Sequence, residues 1–241
     1  IVFGDWSSDV CSSDLDVLLA ENLRLKFETY YQNLYNVPVE STPSSYSALN
    51  TGSNYGIDFR DSMVNNGTGR NVGFEITLEK YFSNNYYYLL TTSIFDSKYK
   101  GSDKIERNTA FNGNYVVNVL AGKEIPIKTR HTLSFDIKGT IAGGQRKTPI
   151  DIESSKYGSQ FETEYFDDKA FSEQFKEYIK FDFKVVYRLN GKRISQEWQV
   201  YVENITNNKN PLMESYDKKN QKVETTYQLG IFPMVNYRIY F

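Results

Sequence analysis

The sequence predicts an all-β fold, an antiparallel up-and-down transmembrane β-barrel fragment of about eight long strands. Three observations carry this. Long segments alternate apolar and polar residues with a period of two, the spacing of a sheet with one apolar face. Their connections alternate long and short along the chain, as in a barrel with long extracellular loops and short periplasmic turns. The chain holds 20 Tyr and 16 Phe in 241 residues, yet its mean hydropathy is -0.56. Membrane strands reconcile these two facts, because only alternate residues face lipid. A helical span would need about 20 consecutive apolar residues, and no such run occurs. The net charge of -2 sets nucleic acid aside as a partner, since such a reader is usually basic.

The N-terminal residues stand apart. Asp5-Trp6-Ser7-Ser8-Asp9-Val10-Cys11-Ser12-Ser13-Asp14-Leu15 is similar to a common sequencing-adapter oligonucleotide translated in one frame. Residues 1–15 are therefore read as a non-native segment. Cys11, the only cysteine, lies inside it. Residues 16–241 begin abruptly at the approach to a strand and are expected to belong to a longer protein.

From Asn22 the alternation is clean: Leu23, Leu25, Phe27, Thr29 and Tyr31 oppose Arg24, Lys26, Glu28, Tyr30 and Gln32. The apolar row is expected to meet lipid and the charged row a wet lumen. The reverse facing would place Arg24 and Lys26 in hydrocarbon, at about 2–4 kcal/mol each near the midplane. Residues 36–68 are rich in Ser, Asn, Gly and Pro and predict a long loop. Val72, Phe74, Ile76 and Leu78 form the next apolar row, and Ser83-Asn84-Asn85 a tight turn into a strand from Tyr86 to Tyr99. After a loop, a fourth strand runs from Tyr115 to Ile125, a short turn follows, and Leu133, Phe135, Ile137 and Ile141 mark a fifth.

Residues 143–176 predict a second long loop with many acidic and aromatic residues. Ile179, Phe181, Phe183, Val185 and Tyr187 then alternate with Lys180, Asp182, Lys184 and Arg188. Asn190-Gly191 signals a hairpin, both positions tolerating positive φ. Trp198, Val200 and Val202 form the seventh row, residues 207–222 a loop, and Val223 to Phe241 the closing strand with a kink near Gly230 or Pro233. Tyr81, Phe82, Tyr86, Tyr87 and Tyr88 flank a short turn, where an aromatic girdle would sit. A soluble sandwich has no physical reason for strict alternation of loop length, because both of its ends meet the same water.

Several motifs carry a resemblance. Gly69-Arg70-Asn71-Val72-Gly73-Phe74-Glu75 resembles a strand opening common in the last third of TonB-dependent outer-membrane receptors. Val202-Glu203-Asn204-Ile205-Thr206-Asn207 resembles the Asn-(Leu/Ile)-Thr-Asn motif of their penultimate strand, and Tyr237-Arg238-Ile239-Tyr240-Phe241 their closing strand. Asp96-Ser97-Lys98-Tyr99, Arg107-Asn108-Thr109-Ala110-Phe111-Asn112-Gly113 and Thr148-Pro149-Ile150-Asp151 are similar to the Bacteroidota branch of that family. The resemblance covers essentially everything after the N-terminal segment. It implies a location in the bacterial outer membrane and TonB-energised uptake of a scarce nutrient: a siderophore, cobalamin, haem, an oligosaccharide or a peptide. The implied partners are the TonB complex, acting through an N-terminal part with the plug, the barrel assembly machinery and outer-membrane lipid. The terminal Phe241 resembles the signal that the assembly machinery reads. A soluble β-sandwich binding module and a passive outer-membrane barrel are the alternatives.

No enzyme chemistry, cofactor or metal is expected. His131, the only histidine, falls at a predicted turn, and with neither a second histidine nor a cysteine outside the N-terminal segment a nucleophile pair or zinc site is hard to build. The carboxylates Asp151/Glu153 and Asp167/Asp168 read as solvated loop residues before they read as a calcium site. Phe171-Ser172-Glu173-Gln174-Phe175 suggests a short loop helix. Charged lumen residues, Glu75, Glu79, Asp136, Lys138, Glu197 and Glu203 among them, are expected to pair across strands. The candidate ligand-binding residues are the aromatic loop tract Tyr157, Phe161, Tyr165 and Phe166.

Overall fold

The computed structural model describes residues 7–53, 60, 62–157 and 163–241. A ten-stranded antiparallel sheet dominates it. In chain order come β1 (Ser7–Ala20), β2 (Leu23–Glu40), β3 (Met63–Ser83), β4 (Tyr86–Lys100), the short β5 (Glu106–Asn108), β6 (Tyr115–Lys128) and β7 (His131–Ala142). Two two-residue strands, β8 (Arg146–Lys147) and β9 (Glu173–Gln174), flank a short helix α1 (Ile152–Tyr157). β10 (Tyr178–Asn190), β11 (Ser195–Glu203), β12 (Pro211–Asp217), β13 (Lys222–Tyr227) and β14 (Phe232–Tyr240) complete the chain. The sheet runs β1-β2-β3-β4-β6-β7-β10-β11-β14, with β5 added to β4; β12 pairs with β13 and β8 with β9 outside it. This is the all-β, up-and-down order that the periodicity predicts. Among the described residues, no pairing joins β14 to β1.

Register makes each side of the sheet chemically uniform. Leu25, Leu78, Leu90, Val119, Gly139 and Phe181 lie side by side across six strands. One residue along, Lys26, Thr77, Thr91, Asn118, Thr140 and Lys180 form a row on the opposite face. A shift by one residue would exchange the faces, so the pattern holds the register strongly. Among the described residues, no second sheet covers the apolar rows: Ile94 is 58 % exposed, Val200 48 % and Val235 81 %. The other face is knitted by ion pairs, among them Lys184–Asp136 at 2.7 Å, Lys180–Glu203 at 2.9 Å and Arg188–Glu197 at 2.7 Å. Thr140 Oγ1 donates to Asn118 Oδ1 at 2.9 Å, and the Tyr87 hydroxyl to Asp136 Oδ1 at 2.8 Å.

Connections at one end are the dipeptides Glu21-Asn22, Asn84-Asn85 and Thr129-Arg130, and residues 191–194; at the other end they are residues 41–62, 101–114, 143–177 and 204–231. Asn84 and Asn85 take φ of 53° and 63°, the pair of left-handed residues a type I′ hairpin turn needs. The hydrophobic core sits at the long-loop end. Leu34, Val37, Val39, Tyr99, Ala110, Ala170 and Tyr216 are buried there, whereas Val186, near the short turns, is the one other buried hydrophobic among the described residues.

Several expectations are corrected. The sheet path has nine strands rather than eight long ones, because Ser7–Ala20 pairs with β2 from Ser7↔Tyr35 onward. Its pattern does not alternate cleanly: Leu18 and Leu19 are both exposed and Asp14 faces Glu28. Backbone groups along the β2 edge accept an extended neighbour whatever its side chains. The predicted loop at 36–68 is shorter than expected, since β2 and β3 continue past a bulge at Asn36, whose φ is 57°. There Gly67 admits the Val39 side chain, which a Cβ would strike. Val223–Tyr227 leaves the closing strand and pairs with Pro211–Asp217. The chain is drawn out between them by Ile231 N–H donating to Asn207 Oδ1 at 3.1 Å and Gln228 N–H to the Asn210 carbonyl at 2.8 Å.

Asn190-Gly191 does mark a hairpin, but of a different kind. Neither residue has positive φ, and residues 191–194 form the turn, because Asn190 stays in the ladder opposite Ser195. His131 is no free turn residue: it opens β7 and its Nδ1 lies 2.6 Å from the Tyr187 hydroxyl.

Candidate ligand-binding site

Short polar side chains hold the loops where the strands end. Asn204 closes β11 with φ of 48° and is 1 % exposed. Its amide donates to the Asn208 carbonyl at 2.9 Å and the Leu229 carbonyl at 3.3 Å, and its oxygen accepts from Asn208 N–H at 3.0 Å. Asp182 Oδ1 in turn accepts from Asn204 N–H at 2.9 Å. Asn208 and Asn210 both donate to the Ile179 carbonyl, at 3.1 and 2.9 Å. Backbone groups freed at the strand end thus find partners without water, as burial requires. The local conformation is one that asparagine tolerates better than most residues.

A second strut crosses to the neighbouring strands. Thr109 donates to Ser97 Oγ at 2.8 Å, Ser97 to Asn71 Oδ1 at 2.6 Å, and Asn71 to Gln32 Oε1 at 2.9 Å. Asn112, wholly buried, donates to Asp96 Oδ1 at 2.9 Å, and Arg146 Nε donates to the Asn112 carbonyl at 2.9 Å. Buried Arg107 pairs with Asp103 at 2.7 Å. Burial works against the Asp103 charge, but the Arg107 guanidinium and the Ile105 N–H outweigh it and hold its carboxyl below the usual aspartate range. Ser45 Oγ donates to Asp167 Oδ1 at 2.5 Å, tying the first long loop to the third.

Between these struts lies an open cavity of about 620 Å³, within the size range of ligand pockets. Its walls come from three loops: Gly52 and Ser53 from residues 41–62, then Gln145, Lys147, Tyr165, Phe171 and Phe175 from residues 143–177, then Glu214 from residues 204–231. Lys147 Nζ sits 2.6 Å from Glu214, 3.4 Å from Glu173 and 5.0 Å from the centre of the Phe175 ring. The Tyr165 hydroxyl donates to the Glu214 carbonyl at 3.3 Å. Burial, aided by the Glu214 charge, pushes that hydroxyl above the ordinary phenol range, so it stays a donor at neutral pH. The Phe171 ring meets Tyr99 edge-on at 6.2 Å. The site offers apolar ring surface beside a neutralised cation, with hydrogen-bonding groups at its rim.

Of the described members of the predicted aromatic tract, Tyr165 alone lines the cavity. Tyr157 ends α1 and is 86 % exposed. Phe166 packs beneath Lys169, whose Nζ is 4.6 Å above the ring. Phe161 lies outside the described residues. The other aromatic side chains on the cavity wall are Phe171 and Phe175. The segment between them, expected to be helical, contains β9, with Phe175 N–H donating to the Gln145 carbonyl at 3.0 Å. Two-residue strands leave no periodicity to read, so only the aromatic spacing hinted at this wall. Asp151 caps α1 by accepting from the Ser154 N–H at 3.1 Å, and the Ser154 hydroxyl, donating at 2.6 Å, helps hold its carboxyl below the usual range. With Asp167 bound to Ser45, the acidic pairs serve the loops. Among the described residues, no cluster of three His, Cys, Asp or Glu side chains is placed to hold a metal. Phe241 is 96 % exposed and prolongs the apolar row of Val235, Tyr237 and Ile239.

Compared with family profiles, curated proteins and solved structures, the chain matches none of them.

Proposed function

We propose that this chain is the C-terminal barrel segment of a TonB-dependent outer-membrane receptor, which captures a scarce nutrient in its long loops and imports it with energy from the TonB complex. The observation that carries the reading is the two-faced sheet. Apolar rows keep exposed side chains on β2, β3, β4, β6, β7, β11 and β14, while the reverse face is ion-paired. Water-facing surfaces rarely expose contiguous apolar patches beyond a few hundred Å². Lipid is the medium in which such a face needs no cover, and the row Leu23 to Tyr31 matches the 9–11 residues of a tilted membrane strand. The division of long loops and short turns between opposite ends fits the same reading. Phe241 then serves the barrel assembly machinery, and the loop-end cavity the nutrient. No covalent chemistry is involved.

Epitope tags inserted near Ser44 and near Asn84 test this in cells. The tag at Ser44 is expected to be labelled on intact cells, and the tag at Asn84 only after permeabilisation. The opposite result overturns the orientation. Recovery of the protein from the soluble fraction overturns the membrane reading in favour of a sandwich-type binding module.

A further inference from the structure

We infer that the loop-end cavity takes a neutral, polyhydroxylated ligand, a segment of an uncharged oligosaccharide, held by the Phe175, Phe171 and Tyr165 rings beside the Lys147–Glu214 pair. This rests on the receptor reading and narrows it to one substrate class.

Charge balance excludes the anionic candidates. Lys147 is flanked by two carboxylates, Glu214 at 2.6 Å and Glu173 at 3.4 Å. Arg146 is engaged by the Asn112 carbonyl and by Asn114 Oδ1 at 2.7 Å. A multiply charged chelate would find no free cation here and would have to break a close ion pair to gain one. Backbone geometry disfavours an extended peptide added as a strand: of the strands bordering the cavity, β8 is two residues long, and the seven-residue β12 already gives its Glu214 carbonyl to the Tyr165 hydroxyl and its Tyr216 N–H to Thr163 Oγ1. The Gln174 amide already bonds the Gly144 carbonyl at 2.8 Å. Strand addition needs a longer open edge. What remains suits a sugar. Its apolar C–H faces can lie against the rings, and its hydroxyls both donate and accept, matching a carboxylate, an ammonium and the Gln145 amide without net charge.

The test uses the full chain refolded in detergent micelles and titrated with maltohexaose, cellohexaose, xylohexaose and mannohexaose. Hexagalacturonate and a ferric tris-catecholate serve as anionic counterparts. At least one neutral hexasaccharide should bind, with an affinity nearly independent of salt. Phe175→Ala should weaken it tenfold or more and Phe175→Tyr, which keeps the ring, should retain it. Circular dichroism confirms the fold of each variant. Tighter binding of either anion, binding of none of the neutral sugars, or a Phe175→Ala variant of unchanged affinity would overturn the inference. Co-flotation with phospholipid vesicles reports separately on the receptor reading. A chain that floats but ignores the sugars leaves that reading standing without this inference. One that binds them but never enters vesicles keeps the cavity's ligand and loses the importer.

Discussion

The middle of the sheet and its loop end are built in opposite ways from one chain. At the loop end Val37, Val39, Tyr99 and Asn204 are each no more than 1 % exposed, and the carbonyls freed by strand ends are taken up by asparagine side chains. That is how a protein interior in water is built. Across the middle of the sheet the rows pack only side by side, Phe27 against Phe74 and Phe135 against Phe183, and leave Val119 40 %, Ile137 46 % and Val200 48 % exposed. The difference teaches that, on the membrane reading proposed above, stability in the two regions comes from different media. The loop end depends on packing and polar satisfaction, and the sheet depends on what surrounds it.

That contrast breaks most cleanly at Val119, in the middle of the apolar face and already 40 % exposed. On the membrane reading, Val119→Arg should cost about 2–4 kcal/mol in reversible unfolding from lipid vesicles. Thr91→Arg on the opposite face should cost far less. In a sheet bathed by water the Val119 substitution would stay within about 0.5 kcal/mol, so an indifferent Val119→Arg removes the distinction between the regions.

Asn204→Ala probes the other region. It leaves the Asn208 N–H and the Asn208 and Leu229 carbonyls without their partner and places alanine at φ of 48°. An expected loss of about 1–3 kcal/mol should appear in hydrogen exchange as faster exchange confined to residues 204–210. Protection lost equally in β2 and β3 would mean that the two regions do not behave separately.

The smallest effect is set by pH. Asp103 has its folded pKa depressed by Arg107. Its contribution is therefore complete above the ordinary aspartate value of about 3.9 and is lost as pH falls through the lower folded value. Limited proteolysis should open residues 101–114 below about pH 4 while the ladders persist. Asp103→Asn should flatten that pH dependence. If the loop is equally resistant at both pH values, the ion pair contributes nothing to holding it.

Much of the sheet was legible from residues alone, for a local reason. Leu23-Arg24-Leu25-Lys26-Phe27 states both faces of a strand within five positions, and Asn84-Asn85 states its turn. The extension of β2 beyond Asn36 was not legible, because a bulge breaks the period at the residue where it occurs. The candidate site was half seen: Tyr165 was picked out, whereas Phe171, Phe175, Lys147 and Glu214 were not.

By itself, then, the sequence determined most of the long strands, which residues share each face and the alternation of their connections, since period two and turn chemistry act over a few residues. The tertiary structure alone decided that Ser7–Ala20 lies along β2, that β12 and β13 form their own hairpin, and that Lys147 meets Glu214 across 67 positions of chain. These outcomes depend on free backbone edges and on loops brought together by the sheet beneath them. No local pattern encodes such distances.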